Sequence, residues 1–217
     1  MRFATPDGAL EAAISHVTIA GWTGRDRAAV DHHIAELAAI GVAAPSEVPL
    51  YYRVSDSLLT QATTIQVMGH ETSGEVEPLV IRTGGRLYLG LASDHTDRAI
   101  EVSSVAASKQ ICAKPVARAI WPWEEVEGHL DTLELTTEIK EAGAWVPYQA
   151  GSLAAIRPLP DLISGAALTA SAAMLCGTLP ANDGVRPADA YRMALTDPVL
   201  GRTIALEYAV ATLPVVS

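Results

Sequence analysis

Two glutamates separated by one residue, Glu75 and Glu77, are the first side chains whose spacing suggests chemistry. On a β-strand, residues i and i+2 point to the same face, so both carboxylates can reach one cation. A short hairpin after Glu77 would return the chain beside this pair and bring Asp94 close to it. Three carboxylates together suit a hard divalent ion such as Mg²⁺ or Mn²⁺. A solvent-facing strand edge with alternating acids also explains the glutamate pair when it is taken alone.

A second pair, His33 and Glu36, lies three residues apart in a segment whose pattern predicts a helix. Residues i and i+3 share a helix face, so the carboxylate can orient the imidazole and stabilise its charge. A histidine that acts as acid or base needs such a partner to fix its tautomer. The pair therefore suggests acid–base chemistry, and an exposed surface pair is the alternative.

Lys114 stands in an apolar segment, with Ile111, Cys112 and Ala113 before it and residues 116–117 after it. Lysine is among the residues least often buried without a partner, so a lysine in such a segment needs an anion. The three carboxylates would supply one. The alternative is that the aliphatic stem packs while the ammonium reaches water.

The elements that position these residues begin with a strand, predicted around residues 15–20, and one helix. Thr23 is a plausible N-cap for this helix because Asp26 follows at the spacing of a capping box. Gly41 gives the helix a good stop.

Beyond residue 48 the sequence is dominated by predicted strands and turns. A turn signal at residues 83–86 predicts a hairpin, segments 133–135 and 145–148 predict a second one, and residues 96–105 suggest a short helix. Strands outnumber helices, which predicts an α+β fold that is mostly β, a mixed β-roll or barrel with few helices. We expect a single domain over residues 1–217, in which residues 1–48 carry the His–Glu pair and residues 49–217 form the β-roll.

Composition excludes several classes of protein. The 217 residues include 15 Lys+Arg and 25 Asp+Glu, a net charge of −10, and the basic residues are scattered, which argues against nucleic-acid binding. The longest uncharged run, residues 162–182, is too polar for a membrane span, and no secretory signal opens the chain. Cys112 and Cys176 lie in apolar surroundings and lack a CxxC pattern, so we expect free thiols and a cytoplasmic protein.

Seven segments, taken in chain order, carry a resemblance to a known family. They are IAGW (19–22) leading to HIAE (33–36), PSEVPLYYR (45–53), EVE (75–77), SDHTDR (93–98), Lys114, AWVPYQAGS (144–152) and CGTLP (176–180). In this order they resemble the motifs of the fumarylacetoacetate hydrolase superfamily over about residues 17–210. The sequence departs from that pattern where Arg53 replaces the usual lysine of a K-P pair, and where several residues separate Gly21 from His33.

The resemblance implies a mixed β-roll, a homodimer and a metal-dependent enzyme. It implies Glu75, Glu77 and Asp94 as ligands of Mg²⁺ or Mn²⁺. It implies that His33, Glu36 and Lys114 are catalytic. The positions that it implies for substrate binding are Arg53, Gln149, Gly177 and Thr178.

The chemistry common to this superfamily is the stabilisation of an enolate by a metal ion. We therefore expect an enzyme that acts on a small 2-oxo acid or 1,3-dicarbonyl compound, such as an acylpyruvate. The His33 and Glu36 pair suits water activation, which favours hydrolysis of a C–C bond. Hydration, dehydration and decarboxylation of a 2-keto acid are alternatives, as is a non-catalytic binding protein that retains the site.

Overall fold

The computed structural model describes residues 1–39, 41 and 43–216, and strands account for most of its regular structure. The strands are β1 (Arg2–Thr5), β2 (Gly8–Glu11), β3 (His16–Gly21), β4 (Leu50–Val54), β5 (Leu59–Thr60), β6 (Thr64–Met68), β7 (Thr72–Ser73), β8 (Val76–Thr83), β9 (Arg86–Ser93), β10 (Thr96–Asp97), β11 (Lys114–Pro115), β12 (Trp121–Pro122), β13 (Glu134–Glu141), β14 (Ala144–Ser152), β15 (Ala172–Leu175), β16 (Ala190–Asp197) and β17 (Arg202–Leu213). The helices are α1 (Arg27–Ala39), α2 (Arg98–Glu101), α3 (Val105–Gln110), α4 (Trp123–Val126) and α5 (Leu159–Gly165). Short 3₁₀ turns occupy Asp56–Leu58, Glu127–Thr132 and Leu153–Ala155.

A six-stranded mixed sheet holds the strands that carry the predicted site. Its order is β12-β9-β8-β15-β3-β4, and β3 runs parallel to β15. The predicted hairpin is formed by β8 and β9, with Thr83 opposite Arg86. Gly84 and Gly85 form its turn with φ values of 56° and 78°, a region that glycine enters without steric cost. Strand β3 lies between β15 and β4 in this sheet, whereas β1 and β2 pair with each other in a separate two-stranded sheet.

A five-stranded sheet with the order β14-β13-β16-β17-β6 forms the second layer. Its β13–β14 hairpin is the second hairpin predicted from sequence. The larger hydrophobic core contains residues of both sheets, among them Val80, Leu91, Leu135 and Leu206. A smaller core contains Leu79 and Ile81, which alternate with Val80 along β8 and so face the other side of the six-stranded sheet. The predicted α+β, mainly β fold class is therefore confirmed.

Helix α1 begins later than the capping prediction placed it. Asp26, rather than Thr23, caps the helix, because its Oδ1 accepts hydrogen bonds from the N–H groups of Ala28 (2.9 Å) and Ala29 (3.3 Å). Thr23 is buried and packs against Gly177. Gly41 follows the helix end at Ala39 with φ 96°, as expected for a stop.

The short helix predicted over residues 96–105 is also placed differently. Residues 96–97 form strand β10, and helices α2 and α3 follow it. Asp97 and Ser104 cap these two helices through their side chains. Within the described residues, no helix is both long enough and apolar enough to cross a membrane.

Candidate functional site

The β8–β9 hairpin brings together the three carboxylates predicted from sequence. Asp94 lies directly opposite Glu75, and its N–H donates to the carbonyl oxygen of Glu75 at 3.0 Å. Glu77 lies two pairs further along β8, opposite Ala92, and so on the same face as Glu75. Asp94 is fully buried and Glu77 nearly so. We call Glu75, Glu77 and Asp94 the carboxylate cluster.

Two lysines bind Asp94. The ammonium of Lys109 makes a short contact with Asp94 Oδ2, and Lys114 Nζ lies 2.9 Å from Oδ1. The second contact is an ion pair by distance, but its angle is not that of a hydrogen bond. Lys114 Nζ instead donates a hydrogen bond to the carbonyl oxygen of His95. Lys114 is 0% exposed, so the alternative in which its ammonium reaches water is excluded.

Burial and ion pairing act in opposite directions on these charges. Burial raises the pKa of Asp94, but Lys109 and Lys114 outweigh it and hold that pKa well below its ordinary value. Burial lowers the pKa of Lys109, but the three carboxylates outweigh it and raise that pKa above its ordinary value. For Lys114 burial dominates, and the pKa is lowered despite Asp94. Asp94 and Lys109 therefore form the firmest charge pair of the site.

Arg98, at the start of α2, forms an ion pair with Glu75 of the carboxylate cluster. Its Nη2 lies 2.9 Å from Glu75 Oε2, and its Nη1 lies 2.9 Å from Glu101 Oε2. Its Nε donates to Ser73 Oγ at 2.7 Å. Burial lowers the pKa of Arg98, but the two glutamates outweigh it, so the guanidinium stays charged.

Glu77 is held by backbone rather than by a cation in direct contact. Its Oε2 accepts a hydrogen bond of 2.7 Å from the N–H of Gly177. Burial, and then the charge of Asp94, raise the pKa of Glu77 well above its ordinary value, while Lys109 opposes the shift. Gly177 has φ 93°, and a Cβ there would lie 1.6 Å from Thr23 Oγ1. Only glycine fits at this position.

Gln149 and Thr178, implied by the resemblance to bind substrate, are used inside the protein. The Gln149 amide nitrogen donates to Thr178 Oγ1 (2.8 Å) and to the carbonyl oxygen of Leu179 (2.6 Å). Its oxygen accepts from the N–H of Val76 at 3.0 Å. The Thr178 hydroxyl donates to the Val76 carbonyl at 2.8 Å. These bonds tie the Gly177 loop to β8, so in this arrangement both residues brace Glu77 rather than present free donors.

Arg53, the fourth position implied for substrate binding, lies apart from the cluster. It is exposed on β4, whereas its neighbour Tyr52 faces Lys109, whose Nζ lies 5.7 Å from the Tyr52 ring centroid. Successive strand residues point to opposite faces, so Arg53 points away from Lys109.

The His33 and Glu36 pair is formed, but at the surface. His33 Nδ1 lies 3.4 Å from Glu36 Oε2, and the side chains are 60% and 59% exposed. His32 also contacts Glu36, at 3.3 Å, so the carboxylate is shared. The ring of Trp22 lies 6.1 Å from that of His33, and Trp22 Nε1 donates to the Tyr52 hydroxyl at 3.2 Å. Through these two aromatic residues, helix α1 adjoins the lysine side of the cluster.

His95, which follows Asp94 in sequence, belongs to a buried network. Its Nδ1 lies 3.0 Å from the Tyr208 hydroxyl, and its Nε2 lies 2.9 Å from Thr72 Oγ1. Burial, then Lys114 and Arg98, lower the pKa of His95 to about 3. The imidazole is therefore neutral at ordinary pH and acts as a packed, hydrogen-bonded support.

A divalent ion at the carboxylate cluster would need carboxylate oxygens that are free to coordinate it. Across residues 1–39, 41 and 43–216, no group of three His, Cys, Asp or Glu side chains is placed to share a metal ion. The cluster has the oxygen ligands that Mg²⁺ prefers, but Asp94 and Glu75 are already paired with cations of the chain. As folded, the carboxylate cluster does not fit a divalent ion.

Lys109 is the site residue that sequence reasoning missed. It is one of only three lysines in the chain, and it follows a run of small residues that gives no sign of burial. That scarcity of lysine was the one available signal. Arg98, inside the SDHTDR segment, is the other residue whose role emerges only from the structure.

Comparisons with known proteins give a family and a fold. No curated protein matches the sequence. A solved structure described as Cg1458 has a TM-score of 0.65, is 14% identical and covers 98% of each chain. A structure of 2-keto-3-deoxy-D-arabinonate dehydratase, described as complexed with magnesium and 2,5-dioxopentanoate, has a TM-score of 0.63 and 13% identity, and it covers 93% of this chain and 74% of its own. At such identities these similarities show the fold alone. The family described as "Protein of unknown function (DUF2848)" matches residues 20–208, so the chain belongs to that family.

Proposed function

We propose that this protein is an enzyme of the fumarylacetoacetate hydrolase superfamily that acts on a small 2-oxo acid or 1,3-dicarbonyl compound through an enolate. The observation that carries the proposal is the buried set of acids and bases around Asp94, in which two lysines approach one carboxylate. Groups with strongly perturbed pKa values that cluster in this way are typical of active sites. The structural similarity to a 2-keto acid dehydratase supports the substrate class.

The lysines would stabilise the negative charge that develops on the enolate. Lys114 is fully buried, and an ammonium shielded from water interacts with a developing charge more strongly than one in water. Lys109 lies beside the Tyr52 ring, on the side of the cluster toward helix α1. The two ammonium groups are therefore the chain's own source of electrostatic stabilisation.

His33 would handle the proton, with Glu36 orienting its ring. In C–C hydrolysis, His33 takes a proton from water as the water oxygen adds to a carbonyl carbon of the substrate. The neighbouring C–C bond then breaks, its electron pair forms the enolate, and a proton returned to carbon completes the reaction. Both side chains are exposed, so the pair is accessible to a ligand above the Trp22 ring.

Dehydration is the second candidate, and the named dehydratase among the structural neighbours favours it. It uses the same enolate, but the substrate loses a hydroxyl group instead of gaining water across a C–C bond. Magnesium or manganese at the carboxylate cluster stays a prediction: the magnesium complex of that neighbour supports it, and the pairing of Asp94 and Glu75 does not. The single domain, the homodimer and the cytoplasmic location likewise stay predictions.

The test is a substrate panel of acylpyruvates, oxaloacetate and 2-keto-3-deoxy sugar acids, each with Mg²⁺, with Mn²⁺ and with a chelator. Mass spectrometry of the products distinguishes addition of water with C–C cleavage from loss of water. Asp94→Asn removes the charge that both lysines bind, and Lys140→Met, a lysine on β13, serves as the control. Turnover that Asp94→Asn abolishes and Lys140→Met retains supports the proposal. Absence of turnover across the panel would favour the binding-protein alternative.

A further inference from the structure

We propose that the ammonium of Lys109 is the resident cation of the carboxylate cluster and competes there with any divalent ion. The inference rests on the proposed function only for the location of the site, because it requires no reaction to take place. The three carboxylates are the type of ligand that a divalent ion prefers, but Asp94 and Glu75 are already ion-paired with basic side chains of the same chain.

The position of Lys109 is the first argument. Its Nζ contacts Asp94 Oδ2 directly, and its charge is also stabilised by Glu75 and Glu77. In direct contact Lys109 pairs with Asp94, and the charges of Glu75 and Glu77 act on its ammonium through space. Arg98 and Lys114 each contact only one of them, Glu75 and Asp94 respectively.

The fold holds Lys109 in this position. Helix α3 carries it, and Ser104 caps that helix by accepting a 3.2 Å hydrogen bond from the N–H of Ala107. The helix packs against β4 and β10, and the Tyr52 ring flanks the ammonium. Lys109 is only 7% exposed, which is unusual for a surface lysine that meets an acid by chance.

Charge balance is the second argument. The cations beside the three carboxylates are Lys109, Lys114 and Arg98, and Arg98 also pairs with Glu101 outside the cluster. A divalent ion bound by the cluster would have to displace Lys109 from Asp94 and would leave its ammonium buried beside a like charge. Such a repulsion in a partly desolvated site opposes metal binding strongly. Removal of the ammonium should therefore open the cluster to a divalent ion.

Calorimetric titration with Mn²⁺ tests the inference without any need for turnover. Lys109→Met keeps the length of the side chain and removes its charge. We expect Lys109→Met to bind Mn²⁺ at least about ten-fold more tightly than the unmodified protein. The gain should disappear in Lys109→Met combined with Glu75→Gln and Glu77→Gln, and Lys140→Met should bind Mn²⁺ as the unmodified protein does. Equal or weaker Mn²⁺ binding by Lys109→Met overturns the inference.

A second measurement covers the case in which Lys109→Met does not fold. A ligand that binds only the native state raises the midpoint of urea unfolding. If the Lys109 ammonium occupies the carboxylate cluster, millimolar Mn²⁺ should leave the urea midpoint of the unmodified protein unchanged. A clear increase in that midpoint overturns the inference. Because both readouts are independent of catalysis, a failure here would leave the proposed function to be judged by the substrate panel alone.

Discussion

Replacement of Lys114 by methionine gives the sharpest test of the buried charge cluster. Methionine keeps most of the side-chain volume, so the change removes a charge without leaving a large cavity. It takes from Asp94 Oδ1 an ammonium that lies 2.9 Å away, and it takes from the His95 carbonyl its hydrogen-bond donor. Asp94 then retains its contact with Lys109.

The expected loss of stability follows from these two contacts. Removal of one partner from a buried ion pair costs about 3–5 kcal/mol, and an unsatisfied buried carbonyl costs about 1–3 kcal/mol. Against this, Lys109 still pairs with Asp94, and the cost of burying the Lys114 charge is relieved. We therefore expect a net loss of about 3 kcal/mol in the free energy of unfolding. For a chain of this size that corresponds to a fall of roughly 6–12 °C in melting temperature.

Urea unfolding at neutral pH measures the effect, with Lys140→Met as the matched control. Lys140 is half-buried on β13, and its replacement should change stability by less than about 0.5 kcal/mol. Turnover on a substrate found in the panel should fall on the order of 10²-fold in Lys114→Met, since an electrostatic donor is lost. A Lys114→Met protein as stable and as active as Lys140→Met would refute the reasoning.

The same variant has a pH signature. The lowered pKa of Asp94 contributes stability that is present above the unfolded pKa and is lost as pH falls through the folded one. Without Lys114 the folded pKa of Asp94 rises toward its ordinary value. The onset of the acid-side loss is set by the unfolded pKa and should not move, but in Lys114→Met the loss contributed by Asp94 should be smaller and should be complete at a higher pH. Superimposable acid-unfolding curves would contradict this assignment.

Three further variants, one of them with a matched control, test other parts of the site. His33→Ala should abolish turnover with no change in melting temperature, because the side chain is exposed; full activity would place the acid–base group elsewhere. Gly177→Ala should cost more than about 3 kcal/mol in urea unfolding, from the clash with Thr23 and a φ of 93°. Gly184→Ala, with φ 80° and no atom within 4 Å of the added Cβ, should cost only about 1 kcal/mol; equal losses would remove the clash from the explanation. Gln149→Leu should lose about 1–3 kcal/mol in urea unfolding for each polar group it leaves unpaired, and a neutral result would show that the brace is dispensable.

Local signals predicted the scaffold of the site. The two glycines of the 83–86 turn and the alternating residues around them predict the hairpin, and a hairpin of this length brings Asp94 beside Glu75, as the structure has it. The apolar surroundings of Lys114 predicted its burial for the same local reason. Turns and strand alternation depend mainly on the conformational preferences of the few residues that form them, so they can be predicted from the sequence.

The partners of these side chains depended on distant segments. The hydrogen bond of His95 to Tyr208 joins residues 113 apart, and that of Gln149 to Leu179 joins residues 30 apart. Neither can be inferred from spacing, because each joins a strand of the five-stranded sheet to a segment that follows a strand of the six-stranded sheet. Lys109 was missed for a different reason: whether it faces the cluster depends on where α3 begins, and Ser104 as its cap sets that register. One residue of shift would turn the lysine by about 100° around the helix.

Burying the charged side chains of this cluster contributes little to the stability of the fold. Only 18% of the residues are charged, yet four acids and three bases meet in or near one buried region: Glu75, Glu77, Asp94 and Glu101 with Lys109, Lys114 and Arg98. Buried ion pairs contribute little net stability, because desolvation offsets their attraction, and apolar residues of similar volume would often stabilise the fold as well or better. Folding alone therefore does not account for a fully buried lysine and aspartate at the end of a hairpin. The function proposed above accounts for them, because charges that are already fixed in a site shielded from water need no reorganisation when an anionic or enolic ligand binds.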